Sequence, residues 1–206
     1  MSTPKPQLFF DVETTGLPPR SAKPSEFTKF DGCRVVSIAW ILRDRDMVYS
    51  QRYAVSDPGI PDETIGAESI HGISREIVDK YGSPIENIIH DFMDDVRKSD
   101  IIVAHNMDFD QKVVSSELFR MGCEKDAREL MDYHSLCTMK STTNLVKAKN
   151  KYGSFKWPRL EELYVFLFGS SFENAHHAMC DVDALVKCYY VLQEKYNKNK
   201  GSVDGS

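Results

Sequence analysis

Gln7-Leu8-Phe9-Phe10-Asp11-Val12-Glu13-Thr14-Thr15-Gly16-Leu17 is the stretch on which the fold turns. Gln7–Asp11 is a short apolar run ending in an acid, the pattern of a buried strand. Asp11 and Glu13 stand two residues apart where that strand ends, so period-two alternation puts both carboxylates on one face. Thr15-Gly16-Leu17-Pro18-Pro19 then breaks the chain in a turn. Adjacent carboxylates repel unless positive charge sits between them, and hard divalent cations such as Mg²⁺ or Mn²⁺ take oxygen ligands of this kind. A solvated acid pair at a strand end fits the same pattern, so this stretch alone leaves both readings open.

Outward from it, Val35–Leu42 and Tyr49–Val55 read as strands, and Asp44–Asp46 between them suggests an antiparallel hairpin. Glu63–Lys80 reads as two short helical pieces around His71-Gly72. A firmer helix is expected from Ser83, where Ser83 and Glu86 have capping-box spacing and Pro84 suits the first helical position. Its apolar face is Ile85, Ile88, Ile89, Phe92, Met93 and Val96. A buried strand at Ile101–Ala104, a helix over Phe109–Met121 and a weaker strand over Met131–Leu136 follow. One or two helices come next, then Leu160–Phe168 ending at Gly169, and a last helix over Ala178–Tyr196. Strands alternating with helices after an opening hairpin predict an α/β fold with a mixed five-stranded sheet, antiparallel first and parallel after. No repeat or long linker divides the chain, so residues 1–200 read as one domain and 201–206 as a disordered polar tail.

Two further acidic clusters open helices. His105-Asn106-Met107-Asp108-Phe109-Asp110 directly follows the buried strand Ile101–Ala104. His176-His177-Ala178-Met179-Cys180-Asp181-Val182-Asp183 opens the last helix. Each can be read as helix capping with first-turn acids. The first of them also places a carboxylate at a strand's carboxyl end, and the other puts a metal carboxylate and an imidazole in one stretch, which suits water activation.

Together the three clusters resemble the motifs of the DEDD exonuclease superfamily, in the branch with a histidine base that includes polymerase proofreading subunits and RNase T. The first motif stands as Asp11-Val12-Glu13-Thr14-Thr15-Gly16-Leu17, the second as His105 to Asp110, the third as His176 to Asp181. Ile70-His71-Gly72-Ile73 and Pro158-Arg159-Leu160-Glu161-Glu162-Leu163-Tyr164 are softer matches, and the resemblance runs from about residue 7 to 195. In the second motif Asp110, not Asp108, follows Phe109 as the family requires. In the third, Ala178 sets the register so that His176, five residues before Asp181, is the base; His177 is the reserve candidate.

The resemblance implies an RNase H-like fold and a 3′→5′ exonuclease that releases nucleoside 5′-monophosphates from DNA or RNA. Asp11, Glu13, Asp110 and Asp181 would hold two divalent ions, Mg²⁺ or Mn²⁺, about 3.5–4 Å apart, and His176 would take the proton of the attacking water. Thr14, Thr15 and Leu17 would meet the terminal nucleotide, with His105, Asn106 and Phe109 lining the same pocket. Phe109 reads equally as a core contact, and His71 as a packing residue. A non-catalytic binding module that kept the fold would be expected to lack one of the five key side chains, and all five are present. A polymerase or processing complex, if one is a partner, would be a separate chain; nothing in the sequence marks the oligomeric state.

Composition bears on the rest. The net charge is −5, which sits oddly with a polyanionic substrate until metal-binding carboxylates are discounted. Against that charge, Lys140 to Arg159 carries Lys140, Lys147, Lys149, Lys151, Lys156 and Arg159 with no Asp or Glu. This island either holds substrate phosphates, with Tyr152, Phe155 or Trp157 stacking on bases, or is a solvated loop. The five cysteines are scattered and never in C-x-x-C spacing, so they read as reduced structural thiols; Cys180 is one of them. There is no signal-peptide pattern and no membrane-length apolar run, so an intracellular protein without membrane contact is expected.

Overall fold

The computed structural model describes residues 6–60 and 65–201. The elements run β1 (Gln7–Thr14), β2 (Val35–Arg43), β3 (Val48–Asp57), α1 (Glu68–His71), α2 (Arg75–Tyr81), β4 (Ser83–Pro84) and α3 (Ile85–Val96). They continue with β5 (Ile101–Ala104), α4 (Met107–Arg120), α5 (Glu124–Asp132), β6 (Ser135–Cys137), α6 (Thr138–Val146), α7 (Leu160–Phe168) and α8 (Ala178–Gly201). The sheet order is β4-β3-β2-β1-β5-β6. β1 to β3 form an antiparallel meander, and β5 and β6 add in parallel beyond β1.

Alternation along β1 sorts the two faces. Leu8, Phe10 and Val12 point with Trp40, Ile102 and Ala104 into a core closed by α3 and α4. Phe9 points the other way, with Ala39, Ile41 and Val103, against Val182, Leu185 and Tyr189 of α8. Asp11 and Glu13 continue the Phe9 face, so both acids look toward the start of α8. The parallel pair Phe9↔Val103 brings the end of β1 level with the loop that leaves β5. A bulge where Thr14 pairs with Val35 bends β1 away just past Glu13.

Several expectations need correcting. The sheet has six strands, not five, because Ser83–Pro84 pairs with Ser56–Asp57. Ser83 therefore makes no cap: α3 starts at Ile85 behind Pro84, with no side-chain cap bond. The strand expected over Met131–Leu136 is only Ser135–Cys137; its first two residues belong to α5, which ends at Asp132. α4 starts two residues before the expected Phe109. Glu63, where the first helical pieces were expected to begin, lies outside the described residues. Of the tail expected over residues 201–206, Gly201 ends α8, and 202–206 lie outside the described residues. Among the described residues no helix is long and apolar enough to cross a membrane.

Candidate active site

The ends of β1 and β5 and the start of α8 meet at a cleft of about 560 Å³ whose lining includes Asp11, Glu13, Asp110, His176 and Asp181. All five residues singled out for chemistry are thus in one place. Glu13, His176 and Asp181 each offer a ligand atom, and these atoms lie within 4.8 Å of one another. Asp110 is buried in the first turn of α4, where its Oδ1 accepts the Val12 backbone N–H at 3.3 Å. That bond ties the second motif to the strand carrying the first.

Among the described residues lining the cleft, Arg159 is the one Lys or Arg, and the carboxylates respond accordingly. Burial, then repulsion from Asp110, Asp181 and Glu13, pushes Asp11 well above the usual carboxylate range. Burial likewise raises Asp110 despite its backbone hydrogen bonds. Burial and the Asp181 charge lift Glu13 to about 8. Burial lifts Asp181 to about 6, against a hydrogen bond from the His176 backbone. Four carboxylates held against mutual repulsion are a site built for positive charge, and an all-oxygen donor set beside one imidazole suits a hard divalent cation.

His176 sits in a strained turn. Its φ is +69°, rare for a residue with a Cβ, and its N–H donates to Asp181 Oδ2 at 3.0 Å. The turn keeps the imidazole exposed at the cleft while fixing its backbone to one of the acids. His177 faces away and stacks on Tyr53 of β3, with ring centroids 4.7 Å apart. Asp108 is exposed and pairs with Lys140 at 2.5 Å, outside the acidic group.

The first-motif turn is braced from behind. Thr15 N–H donates to Arg34 O, and the Arg34 N–H returns to Thr15 Oγ1, both at 2.9 Å. Thr14 Oγ1 donates to Gly16 O at 2.7 Å. Both threonine hydroxyls therefore have protein partners. Arg34 in turn donates to the buried Glu117 of α4 at 2.7 Å. Gly66 presses on the same turn so closely that a Cβ there would stand 2.1 Å from Thr15 O. His71 holds Gly66 in place: it accepts the Ile73 N–H at Nδ1 and reaches Gly66 O from Nε2 at 3.2 Å. The packing role expected for His71 is what its contacts describe.

Leu17 is 85% exposed beside the cleft, an unusual position for a leucine. Asn106 lines the cleft from the left-handed region, with φ +95°, and makes no side-chain cap. Phe109 both lines the cleft and packs on the core. His105 also lines it, but both ring nitrogens are engaged, with Thr138 Oγ1 at 2.9 Å and Pro158 O at 3.0 Å. Met139, Glu161 and Phe172 also line it, and nothing in the sequence marks them for that place. Glu161 opens α7 and adds a repulsive charge felt by Asp181; a first-turn acid looks like ordinary helix chemistry until the tertiary contact is known.

Comparisons with known proteins place the chain in a family. Residues 8–189 match the RNase_T family of exonucleases. A PolC-type DNA polymerase III from Listeria innocua is 28% identical over 177 residues, which cover 85% of this chain and 10% of that protein. The chain thus spans about a tenth of the length of the curated relatives it matches. Exonuclease I in its apo form superposes with a TM-score of 0.69 at 19% identity, over 93% of this chain and 42% of the other. Exonuclease X in complex with 5′-overhanging duplex DNA gives 0.58 at 19% identity, over 91% and 92%. With three ordered motifs converging on one cleft of an RNase H-like fold, and the family match spanning nearly all of it, the chain belongs to the RNase T exonuclease family of the DEDD 3′→5′ exonuclease superfamily.

Proposed function

We propose that this chain is a metal-dependent 3′→5′ exonuclease that hydrolyses the terminal phosphodiester of DNA or RNA and releases nucleoside 5′-monophosphates. The observation that carries the reading is the group of Glu13, Asp181 and His176, mutually within 4.8 Å, on a cleft that also presents Asp11 and Asp110. Asp11, Glu13, Asp110 and Asp181 would hold two divalent ions, Mg²⁺ or Mn²⁺. Bound there, such ions supply charge neutralisation and Lewis-acid activation of water and of the leaving oxygen.

The chain's own groups do the rest. His176, exposed on its strained turn, takes the proton of the attacking water at an imidazole nitrogen. Water oxygen joins the terminal phosphorus as the bond to the preceding 3′ oxygen breaks. The braced turn of Thr14 and Thr15 meets the last nucleotide through the Thr15 hydroxyl hydrogen, because the Thr15 N–H is already given to Arg34 O while Thr15 Oγ1 only accepts from the Arg34 N–H. Leu17 supplies an apolar wedge against the terminal base. Asn106 and Phe109 form the opposite wall. His105 is tied to Thr138 and Pro158, which leaves its ring face for contact.

A proofreading or processing role in a polymerase context is a second reading, favoured by the likeness to a stretch of PolC-type polymerases. Either role places the protein inside the cell. The test is digestion of 5′-labelled single- and double-stranded DNA and RNA with Mg²⁺, Mn²⁺ or chelator, resolved to single nucleotides. A ladder shrinking one nucleotide at a time from the 3′ end, and abolished by chelator, is expected. Internal cuts, or no cleavage with either metal, would remove the reading.

A further inference from the structure

Between α6 and α7 the chain forms a small hairpin that the exonuclease reading does not use. Lys149 and Phe155 pair across it. Asn150 N–H donates to Ser154 O at 2.8 Å, and Lys156 N–H donates to Ala148 O at 2.9 Å. Asn150 Oδ1 organises the tip by accepting the N–H groups of Tyr152 at 2.9 Å and Ser154 at 3.1 Å. The backbone is therefore specified, yet Tyr152, Phe155 and Trp157 are 79%, 65% and 61% exposed. Three large aromatics held mostly in solvent by an ordered backbone bury little for the fold, and such surfaces mark contact sites.

The hairpin is tied to the catalytic cleft at its base. Pro158 O takes the His105 imidazole at 3.0 Å, and Glu162 of α7 accepts both Lys156 Nζ and the Arg159 N–H. Trp157 and Arg159 themselves line the cleft. Charge points the same way. Lys140 and Lys156 are spent on Asp108 and Glu162. Among the described residues, Lys147, Lys149 and Lys151 form no ion pair, and Lys151 lies 4.9 Å over the Tyr152 ring. The result is a cationic, aromatic arm rising from one wall of an acidic cleft.

We propose that this arm is a stacking platform for single-stranded nucleic acid, holding the unpaired stretch whose 3′ end enters the cleft. The assignment rests on the exonuclease reading and names how that site holds its substrate strand. Exposed π-faces suit unpaired bases, while a duplex hides its base faces in its own stack. The unpaired lysines beside the rings suit the phosphates that link those bases. The platform is indifferent to sugar, so DNA and RNA strands share it.

Trp157 makes the test direct, because the only other tryptophan, Trp40, is buried in the core at 1% exposure. The full chain is titrated in chelator, where no turnover occurs, with a twelve-nucleotide oligothymidylate, an oligouridylate and a blunt duplex. Both single strands should quench tryptophan fluorescence, and the duplex should do so far more weakly. The double variant Tyr152→Ala/Phe155→Ala should bind the oligothymidylate about tenfold or more weakly, since each stacked base contributes substantially to affinity. Trp157→Phe should lose the signal and, when a labelled strand is followed by anisotropy, bind more weakly than the parent but more tightly than Trp157→Ala. Unquenched binding of the strand, equal affinity of the double variant, or a preference for duplex would overturn the platform. Ladder digestion with Mg²⁺ separates the two ideas: intact digestion without arm binding sinks only the platform, whereas arm binding without digestion sinks the exonuclease reading.

Discussion

Glu13→Gln should make the metal-free protein more stable, although it damages the site. In the absence of cations Glu13 is raised from 4.5 to about 8 by burial and by Asp181. A carboxyl whose folded pKa lies above its unfolded one stabilises the fold only while protonated. That contribution is complete below about pH 4.5 and is lost as pH rises toward 8. Felt undiminished, the rise would cost about 5 kcal/mol at pH above 8. Glu13 is partly open to the cleft, and its repulsion with Asp181 relaxes if either moves, so about 2 kcal/mol is the expected share. For a chain of this size that is a Tm increase of about 4–8 °C. The assay is thermal melting by circular dichroism in chelator at pH 5 and pH 8.5. The variant should melt higher than the parent at pH 8.5, with the gap shrinking strongly at pH 5. Saturating Mn²⁺ should raise the parent at pH 8.5 and the variant less. A variant that melts at or below the parent at pH 8.5 in chelator would show that the acids are not crowded as described.

The same reasoning gives three further outcomes. His176→Ala should retain Mn²⁺-induced stabilisation and oligonucleotide affinity while turnover falls by about 10²–10⁴; equal turnover would remove His176 from the chemistry. Gly66→Ala places a methyl 2.1 Å from Thr15 O, so the turn must shift. Destabilisation of about 1–3 kcal/mol in urea melts and a raised KM are expected, and parent-like values for both would argue that the turn does not depend on this contact. Tyr53→Ala frees His177 and unanchors the turn holding His176, so kcat should fall about two- to tenfold, with Tyr53→Phe restoring it; if the phenylalanine variant is as slow as the alanine one, the ring stack is not what holds the turn.

The parts of the site visible in sequence are those whose logic is local. Asp11 and Glu13 share a face because they lie two apart on a strand, and Phe9 on the same face packs on α8. Asp110 and Asp181 open helices, and their positions follow from where the flanking apolar runs stop. What sequence could not supply is non-local. His105 reads as a substrate contact, but its nitrogens are taken by Thr138 and Pro158, 33 and 53 residues away. Phe172 reaches the cleft from a loop and packs on Tyr164, with no periodicity to announce it. α5 is short and mostly charged, nine residues with only Ala127 and Leu130 buried, so its amphipathic pattern runs for little more than two turns and is easily passed over. Ser83 carries the spacing of a helix cap, yet it pairs with Ser56 at the sheet edge, where tertiary pairing outweighs local preference.

The position of cations in the cleft tests the core of this account. Crystals grown with Mn²⁺ and a nucleoside 5′-monophosphate, measured at the manganese absorption edge, should show two anomalous peaks. Both should lie among Asp11, Glu13, Asp110 and Asp181, with the His176 imidazole facing the phosphate. Peaks elsewhere on the protein, or an acidic cleft that stays empty at saturating Mn²⁺ while Asp11 and Asp181 turn apart, would contradict it.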